Sequence, residues 1–418
     1  MKVGIDAIQF DVPKIYLPIE TLAIQRNIEP DKLSKGLGLH KMSLLDSHQD
    51  IITMAANAVY KLIEQEALYG ENSLRNCDVV DLTFACIGAV DALQSCIDYV
   101  TLNPLKKAIV VATDVAKYDL NSTGEYTQGA GAIALLISSN PKIIAFTNEV
   151  GVATEGVFDF FKPKQTIQKS EITGNLNNEN WFDILETEIT ISKEQPVFDG
   201  QYSNQCYINR IKEAYEHFKK ETQQPEIVFN NWDMIFMHLP YCFQGRRTFV
   251  EIFASEYKEL TARLQGEKWN DKIKALSKSK EYLELITTKI YPSEIASGEI
   301  GNIYTGSIFL GMLSGLYFAA KENYNLIDKK AGFVAYGSGS KSKVFEGCIQ
   351  ADWKDKVLKT NLFEILANRT EINFETYEKL HKKELKTSLI SPTNEFSLDY
   401  IEKNNPVLKG ARYYKFVK

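Results

Sequence analysis

Val79-Val80-Asp81-Leu82-Thr83-Phe84-Ala85-Cys86 is an apolar run that closes on a cysteine, and a helix-patterned stretch from Ile87 to Val100 follows it without a break. Val79 to Phe84 predicts a buried strand, so Cys86 stands where a strand hands over to a helix. A helix N-terminus carries partial positive charge and unpaired N–H groups, which predicts a stabilised thiolate with a lowered pKa. Along the helix, Ile87, Val90, Leu93, Ile97 and Val100 share an inward face while Asp91 and Asp98 lie off it. Asn103-Pro104 ends it.

Outward from this point, strand-like and helix-like runs alternate through the first 150 residues, which predicts a parallel, helix-covered sheet. A short strand starts at Val3 to Ile5. Ser47, three residues before Asp50, makes a capping-box-like start for a helix that carries Ile51, Ile52, Ala55, Val59, Leu62 and Ile63 and ends near Gln65. Ala108-Ile109-Val110-Val111-Ala112 predicts a strand covered on both faces, and Ala132 to Ile137 predicts another. The small and polar residues of Asn121 to Gly131 between them form a loop able to approach a ligand closely.

Thr166 to Glu226 is more polar and less periodic, which places a boundary near Phe161-Lys162-Pro163-Lys164. Residues 1–165 then form an N-terminal half with the nucleophile, and residues 166–418 a C-terminal half. The second half has a strand at Met234 to Met237, an apolar helix from Ser307 to Ala320, and Gly332 to Tyr336 leading into Gly337-Ser338-Gly339-Ser340. The charged run from Glu267 to Glu284 is a solvated helix face.

With 418 residues, 44% hydrophobic and 24% charged, the chain has material for a large core or two domains. A formal net charge of −6 argues against nucleic acid as the main partner. Met1 to Asp6 lacks the apolar core of a secretion signal, and no stretch reads as long and apolar enough to span a bilayer, so a cytoplasmic protein without a membrane partner is expected. Six cysteines, at 77, 86, 96, 206, 242 and 348, form no C-x-x-C pair, which predicts reduced thiols rather than a zinc framework or a redox dithiol.

Three polar groups from distant parts of the chain suit acyl transfer through a thioester. A cysteine accepts the acyl group, a histidine polarises or protonates a carbonyl, and an asparagine amide holds a substrate oxygen. Of the five histidines only His238 closes an apolar strand, whereas His40, His48, His217 and His381 have polar or helical surroundings. Asn302 lies in Gly301-Asn302-Ile303-Tyr304. The loop Tyr336 to Lys343 fits neither G-x-x-x-x-G-K-[ST] nor G-x-G-x-x-G, so a tight turn near a substrate is the better reading than a phosphate loop. Arg246, Arg247, Lys341 and Lys343 are candidates to meet phosphates at a pocket mouth, against a solvated basic surface as the plain alternative.

The chain resembles the hydroxymethylglutaryl-CoA synthases of the thiolase-fold superfamily, in their bacterial form, over nearly its whole length. The resemblance runs through Gly36-Leu37-Gly38, Phe84-Ala85-Cys86, Asn121 to Gly131, Phe158 to Pro163, Asp199-Gly200, Gln205-Cys206-Tyr207, His238 to Tyr241, Gly301 to Ser307 and Tyr336 to Ser340. It implies an α/β fold with αβαβα layers in two similar halves, and a homodimer. It also implies an acetyl group from acetyl-CoA carried on Cys86 and condensed with acetoacetyl-CoA, with no cofactor and no metal, in the supply of mevalonate and isoprenoids. His238 would stand beside the acetoacetyl carbonyl with Asn302 and Ser338, and Thr127, Ser203 and Arg247 would lie around substrate or CoA. Phe243 stands where many relatives have lysine.

The same resemblance exposes a gap. Family members carry a general acid/base glutamate on a strand-and-loop unit between the first long helix and the cysteine strand. Here the chain passes from Gln65 to Cys77 without one, which removes on the order of thirty residues, the size of one βα unit. Turnover is expected to fall by ~10² to 10⁴ without a general base, and neighbouring strands to lose ladder partners. For Glu64, Glu66, Glu125 and Glu155, exposure or a structural hydrogen bond is the expected role. Two alternatives to the CoA-dependent condensation follow: an acyltransferase acting on carrier-protein-bound substrates in β-branching, and a non-catalytic remnant that binds CoA esters.

Overall fold

The computed structural model describes residues 1–68, 76–174, 187–193, 195–224, 227–264, 266 and 268–418, so Tyr69 to Arg75 in the shortened stretch lie outside the described residues. In chain order the elements that position the site are β1 (Val3–Asp11), α1 (Ile51–Glu66), α2 (Gly88–Leu102), β2 (Ala108–Ala116), β3 (Gly129–Ser139), β4 (Ile144–Thr154), α3 (Gly200–Thr222), β5 (Trp232–Met237), α4 (Gln244–Glu256), α5 (Ser307–Lys321), β6 (Lys330–Gly337), β7 (Lys341–Ile349) and α6 (Phe374–His381).

Side-chain alternation along the strands builds the layers. In β3, Ile133, Leu135 and Ile137 enter one core, while Ala130, Ala132, Ala134 and Leu136 enter another with Met54, Ala58 and Leu62 of α1. In β6, Phe333 and Ala335 join the first core, whereas Val334 and Tyr336 pack with Tyr207, Ile211 and Phe218 of α3 and Phe249 of α4. The first core holds α2 and α5 between strands of both halves, so the order is α1, half-sheet, α2 with α5, half-sheet, α3 with α4. This is the expected αβαβα layering.

The half-sheets join into seven strands in the order β5-β6-β7-β4-β1-β3-β2, through Gly4 and Ile5 opposite Ala145 and Ile144. The expectation of a parallel sheet is corrected. Within this sheet β5 and β6 are parallel, and the other five described pairings are antiparallel. β2 and β3, like β6 and β7, are consecutive strands joined by loops without a long helix, which returns the chain antiparallel.

Other expectations shift for local reasons. The cap of α1 is Asp50, not Ser47: its carboxylate accepts the Ile52 and Thr53 N–H groups, and Thr53 Oγ1 accepts the Asp50 N–H. Ile51 and Ile52 are exposed because the buried face begins at Thr53 and Met54. α3 is a helix of 23 residues inside the stretch read as more polar and less periodic. Its buried face runs through Cys206, Tyr207, Arg210, Ile211, Ala214, Tyr215 and Phe218, and a count of aliphatic residues alone misses that spacing. Ala85–Leu102 has, against expectation, the length and composition to cross a bilayer, yet Ile87, Val90, Leu93 and Val100 lie in the central core.

The largest correction falls on Val79 to Phe84. The segment is not a strand, and Val79 and Val80 are 78% and 72% exposed. A strand is held by a ladder neighbour. Among the described residues β2 pairs with β3 alone and ends the sheet, with Val111 exposed on it.

Candidate active site

Two turns of like construction meet at the centre of the molecule. The 3-10 turn Ala85–Ile87 leads into α2, and the 3-10 turn Tyr304–Gly306 leads into α5. Each opens on a non-glycine residue with positive φ, 38° at Ala85 and 44° at Tyr304. Such a residue costs on the order of 1–3 kcal/mol and persists where its surroundings fix it. The Ala89 N–H donates to Thr305 Oγ1 at 2.7 Å and ties the two turns together. A Cβ on Gly337 would meet the Ile87 backbone nitrogen at 2.9 Å, so the β6–β7 turn presses on the residue after Cys86; Ser338, next in the chain, is half-buried.

Cys86 is buried, and its thiol is pushed well above the ordinary range by that burial first, then by the charges of Asp114 and Asp159. The expected thiolate is thus corrected to a neutral thiol: desolvation and two carboxylates outweigh the helix end. Asp159 is fully committed. It accepts the Tyr336 hydroxyl at 2.6 Å and the Gly339 N–H at 2.8 Å, which fixes the β6–β7 turn.

His238 follows β5 directly. Its N–H donates to the Val334 carbonyl, its carbonyl accepts the Tyr207 hydroxyl at 2.7 Å, and its Nδ1 lies 2.6 Å from Ser307 Oγ. Burial pushes the imidazole down to about 3, against a backbone hydrogen bond with Tyr304, so the ring is neutral. Asn302 is buried, with Oδ1 accepting the Tyr304 N–H at 2.8 Å and its own N–H on the Thr127 carbonyl at 3.1 Å.

Tyr118 joins these groups. Its hydroxyl lies 3.4 Å from that of Tyr304 and has side-chain hydrogen bonds with Asn302 and Thr127. Burial first, with Cys86 contributing, pushes it up to about 12. Tyr207 stacks on His238 with ring centroids 6.2 Å apart and is coupled electrostatically to Cys86. Cys86, His238, Asn302 and Thr127 therefore converge on Tyr118, Tyr207 and Tyr304, three residues that a search for nucleophiles and bases passes over.

Two expected site residues lie outside this cluster. Ser203 is half-buried in the first turn of α3, where its N–H donates to the Asp199 carbonyl. Arg247 is exposed, donates to the Gly36 carbonyl at 2.7 Å and lies over Tyr241. The other candidate cations are paired. Arg246 stacks 3.8 Å over Phe243 and bonds buried Glu294, while Lys341 and Lys343 both reach Asp91.

The four glutamates weighed as substitutes for the missing base take structural or exposed places. Glu125 is buried against a two-pronged Arg26 contact and the Tyr377 hydroxyl, Glu66 pairs with Lys356, Glu155 pairs with Arg210, and Glu64 is exposed. The carboxylate that acts on Cys86 ahead of all others is Asp114, which the sequence reading missed. Its signal was the period-two pattern Val110, Ala112, Asp114, Ala116, continued past the apolar run.

A family model described as "Hydroxymethylglutaryl-coenzyme A synthase C terminal" matches residues 173–405. A hydroxymethylglutaryl-CoA synthase of Enterococcus faecalis is 30% identical over 427 residues, with 96% of each chain covered. One of Haloferax volcanii is 27% identical, with 91% of each covered. Among solved structures, MvaS in complex with 3-hydroxy-3-methylglutaryl coenzyme A has a TM-score of 0.81 at 24% identity, covering 100% of this chain and 99% of that one. An HMG-CoA synthase complexed with CoA has a TM-score of 0.74 at 25% identity, with both chains covered completely. With a relative matched nearly end to end and a family model spanning more than half of its residues, the chain belongs to the hydroxymethylglutaryl-CoA synthase family.

Proposed function

We propose that the chain is an acyltransferase that condenses acetyl-CoA with acetoacetyl-CoA through an acetyl group held on Cys86. The observation that carries this reading is that Tyr207 stacks on His238 and Tyr304 bonds it through the backbone, while both tyrosines are coupled electrostatically to Cys86. The neutral thiol gives up its proton as sulfur attacks the acetyl carbonyl, and CoA leaves as the thiol. A neutral imidazole then offers a hydrogen bond to the acetoacetyl carbonyl where negative charge develops, with the Asn302 amide and Ser338 beside it. Thr127 lines the substrate, and Ser203 and Arg247, outside the cluster, face CoA; among the described residues Arg247 is the candidate cation without a carboxylate contact. Water finally frees the product from Cys86. The relative solved with CoA supports a CoA thioester as the acyl source.

A homodimer in the cytoplasm completes the reading. The outer edge of β2, with exposed Val111, Leu102 and Leu105, suits a second copy, and the absence of C-x-x-C pairs suits a reducing compartment. Light scattering at twice the 47.4 kDa chain mass tests the dimer.

Mass spectrometry of the protein with acetyl-CoA and acetoacetyl-CoA tests the reaction. Hydroxymethylglutaryl-CoA is the expected product. Product from a carrier-protein-bound β-ketoacyl group, with none from acetoacetyl-CoA, overturns the substrate assignment. A second reading, acetylation without condensation, is favoured by the missing unit, and acetyl on Cys86 with no product supports it.

A further inference from the structure

We propose that Asp114 takes the methyl proton from an acetyl group carried on Cys86. The inference rests on the acyltransferase reading above. Alternation along β2 sends Val110 and Ala112 into the central core with α2 and α5, and Ile109 and Val115 to the α1 side. Asp114 is in phase with the first set, one pleat beyond Ala112. Ala112 lies under the Tyr304–Gly306 turn, its Cβ 3.7 Å from where a Cβ on Gly306 would stand. The carboxylate thus faces the layer in which Cys86 and Tyr304 meet, and its charge acts on both.

The competing carboxylates are spent. Asp159 is fixed by Tyr336 and Gly339, and Glu125, Glu66 and Glu155 are held by cations. Asp114 is bonded by the Val115 N–H at 2.8 Å. Burial raises its pKa, opposed by the Val115 N–H and by Lys162, which moves it toward the range useful for a base near neutral pH. The groups that face it are Cys86 and Tyr304 from the two turns and Lys162 from beyond β4.

In the step, a methyl C–H bond of acetyl-Cys86 breaks and its proton bonds to an Asp114 oxygen. The electron pair becomes the enolate, with charge on the thioester oxygen. The enolate carbon then bonds the ketone carbon of acetoacetyl-CoA, whose C=O π pair moves to oxygen and takes the proton held by Asp114, which returns to its carboxylate form. No oxidant or further reactant is needed.

The experiment places the whole protein and acetyl-CoA in deuterium oxide and reads, by mass spectrometry of the Cys86 peptide, both the acetyl group and its deuterium content. Wild type is expected to carry acetyl that gains deuterium. Asp114→Asn is expected to carry acetyl but gain deuterium at least ~100-fold more slowly, and Asp114→Glu to recover part of the exchange. The wild-type exchange rate should fall at low pH with a midpoint above the ordinary aspartate range. Asp114→Asn exchanging at the wild-type rate, or acetylated wild type that never exchanges, overturns the proposal while leaving the acyltransferase reading intact. No acetyl on wild-type Cys86 overturns both. If Asp114→Asn fails to fold, the wild-type pH profile and Asp114→Glu decide: a rate flat down to the ordinary aspartate range, or no exchange in the glutamate variant, overturns the proposal.

Discussion

Burial of His238 sets a pH dependence of stability as well as of chemistry. Its pKa falls from 6.5 in the free side chain to about 3 in the fold, so the unfolded chain takes up the proton first as pH drops. The contribution is complete above pH ~6.5 and is lost at about 1.4 kcal/mol per pH unit as pH falls toward 3. Between pH 7 and pH 5 this amounts to about 2 kcal/mol. Urea unfolding of wild type and His238→Gln at those two values checks it, with the glutamine variant expected to lose that much less. Equal losses would mean the imidazole is not held neutral. At this scale the sequence singled out Cys86 and His238 but not their ionisation. Cys86 and His238 were legible because each ends or follows an apolar run. The state of the thiol was not, because it depends on Asp114 and Asp159, which reach it from β2 and from the segment after β4.

Among the elements, the segment before Cys86 departs furthest from its composition. Val79 to Phe84 has strand composition but, among the described residues, no ladder, so its valines sit in solvent. Leu82→Ser is therefore expected to cost under ~0.5 kcal/mol. Leu93→Ala, in the buried face of α2, is expected to cost about 2–5 kcal/mol. Chemical denaturation of both variants makes the comparison, and a large loss from Leu82→Ser would show that the segment packs as a strand. Composition announced α2, α5 and β6 correctly because their partners are present. It misled at Val79 to Phe84 because strand identity rests on a neighbour, and at α3 because tyrosines and an arginine carry its buried face.

Across the whole molecule, distant segments close on the glycine-rich loop. Arg26 grips Glu125 with two hydrogen bonds of 2.8 and 2.9 Å, and Tyr377 of α6 donates to the same carboxylate at 2.8 Å. Arg26 also reaches Glu378 and lies over Phe374, so one guanidinium fastens the C-terminal region to the loop that carries Thr127. Arg26→Ala leaves a buried carboxylate without its cation and is expected to cost about 3 kcal/mol, with Glu125→Gln in the same background recovering part of it. Thermal unfolding of the single and double variants tests the coupling, and additive effects would deny it. The layered fold was legible through the resemblance to the family, whereas the order of apolar runs alone pointed to a parallel sheet. The closure by Arg26 and the pairing of β1 with β4 were not, since nothing local in either segment names a partner so far along the chain.

Peptide mapping of the protein after incubation with labelled acetyl-CoA bears most directly on the central claim, that the sulfur at the mouth of α2 is the acyl carrier. Label is expected on Cys86, lost in Cys86→Ala and retained in Cys77→Ala and Cys96→Ala. Label that survives Cys86→Ala, or that falls equally in all three variants, would contradict it.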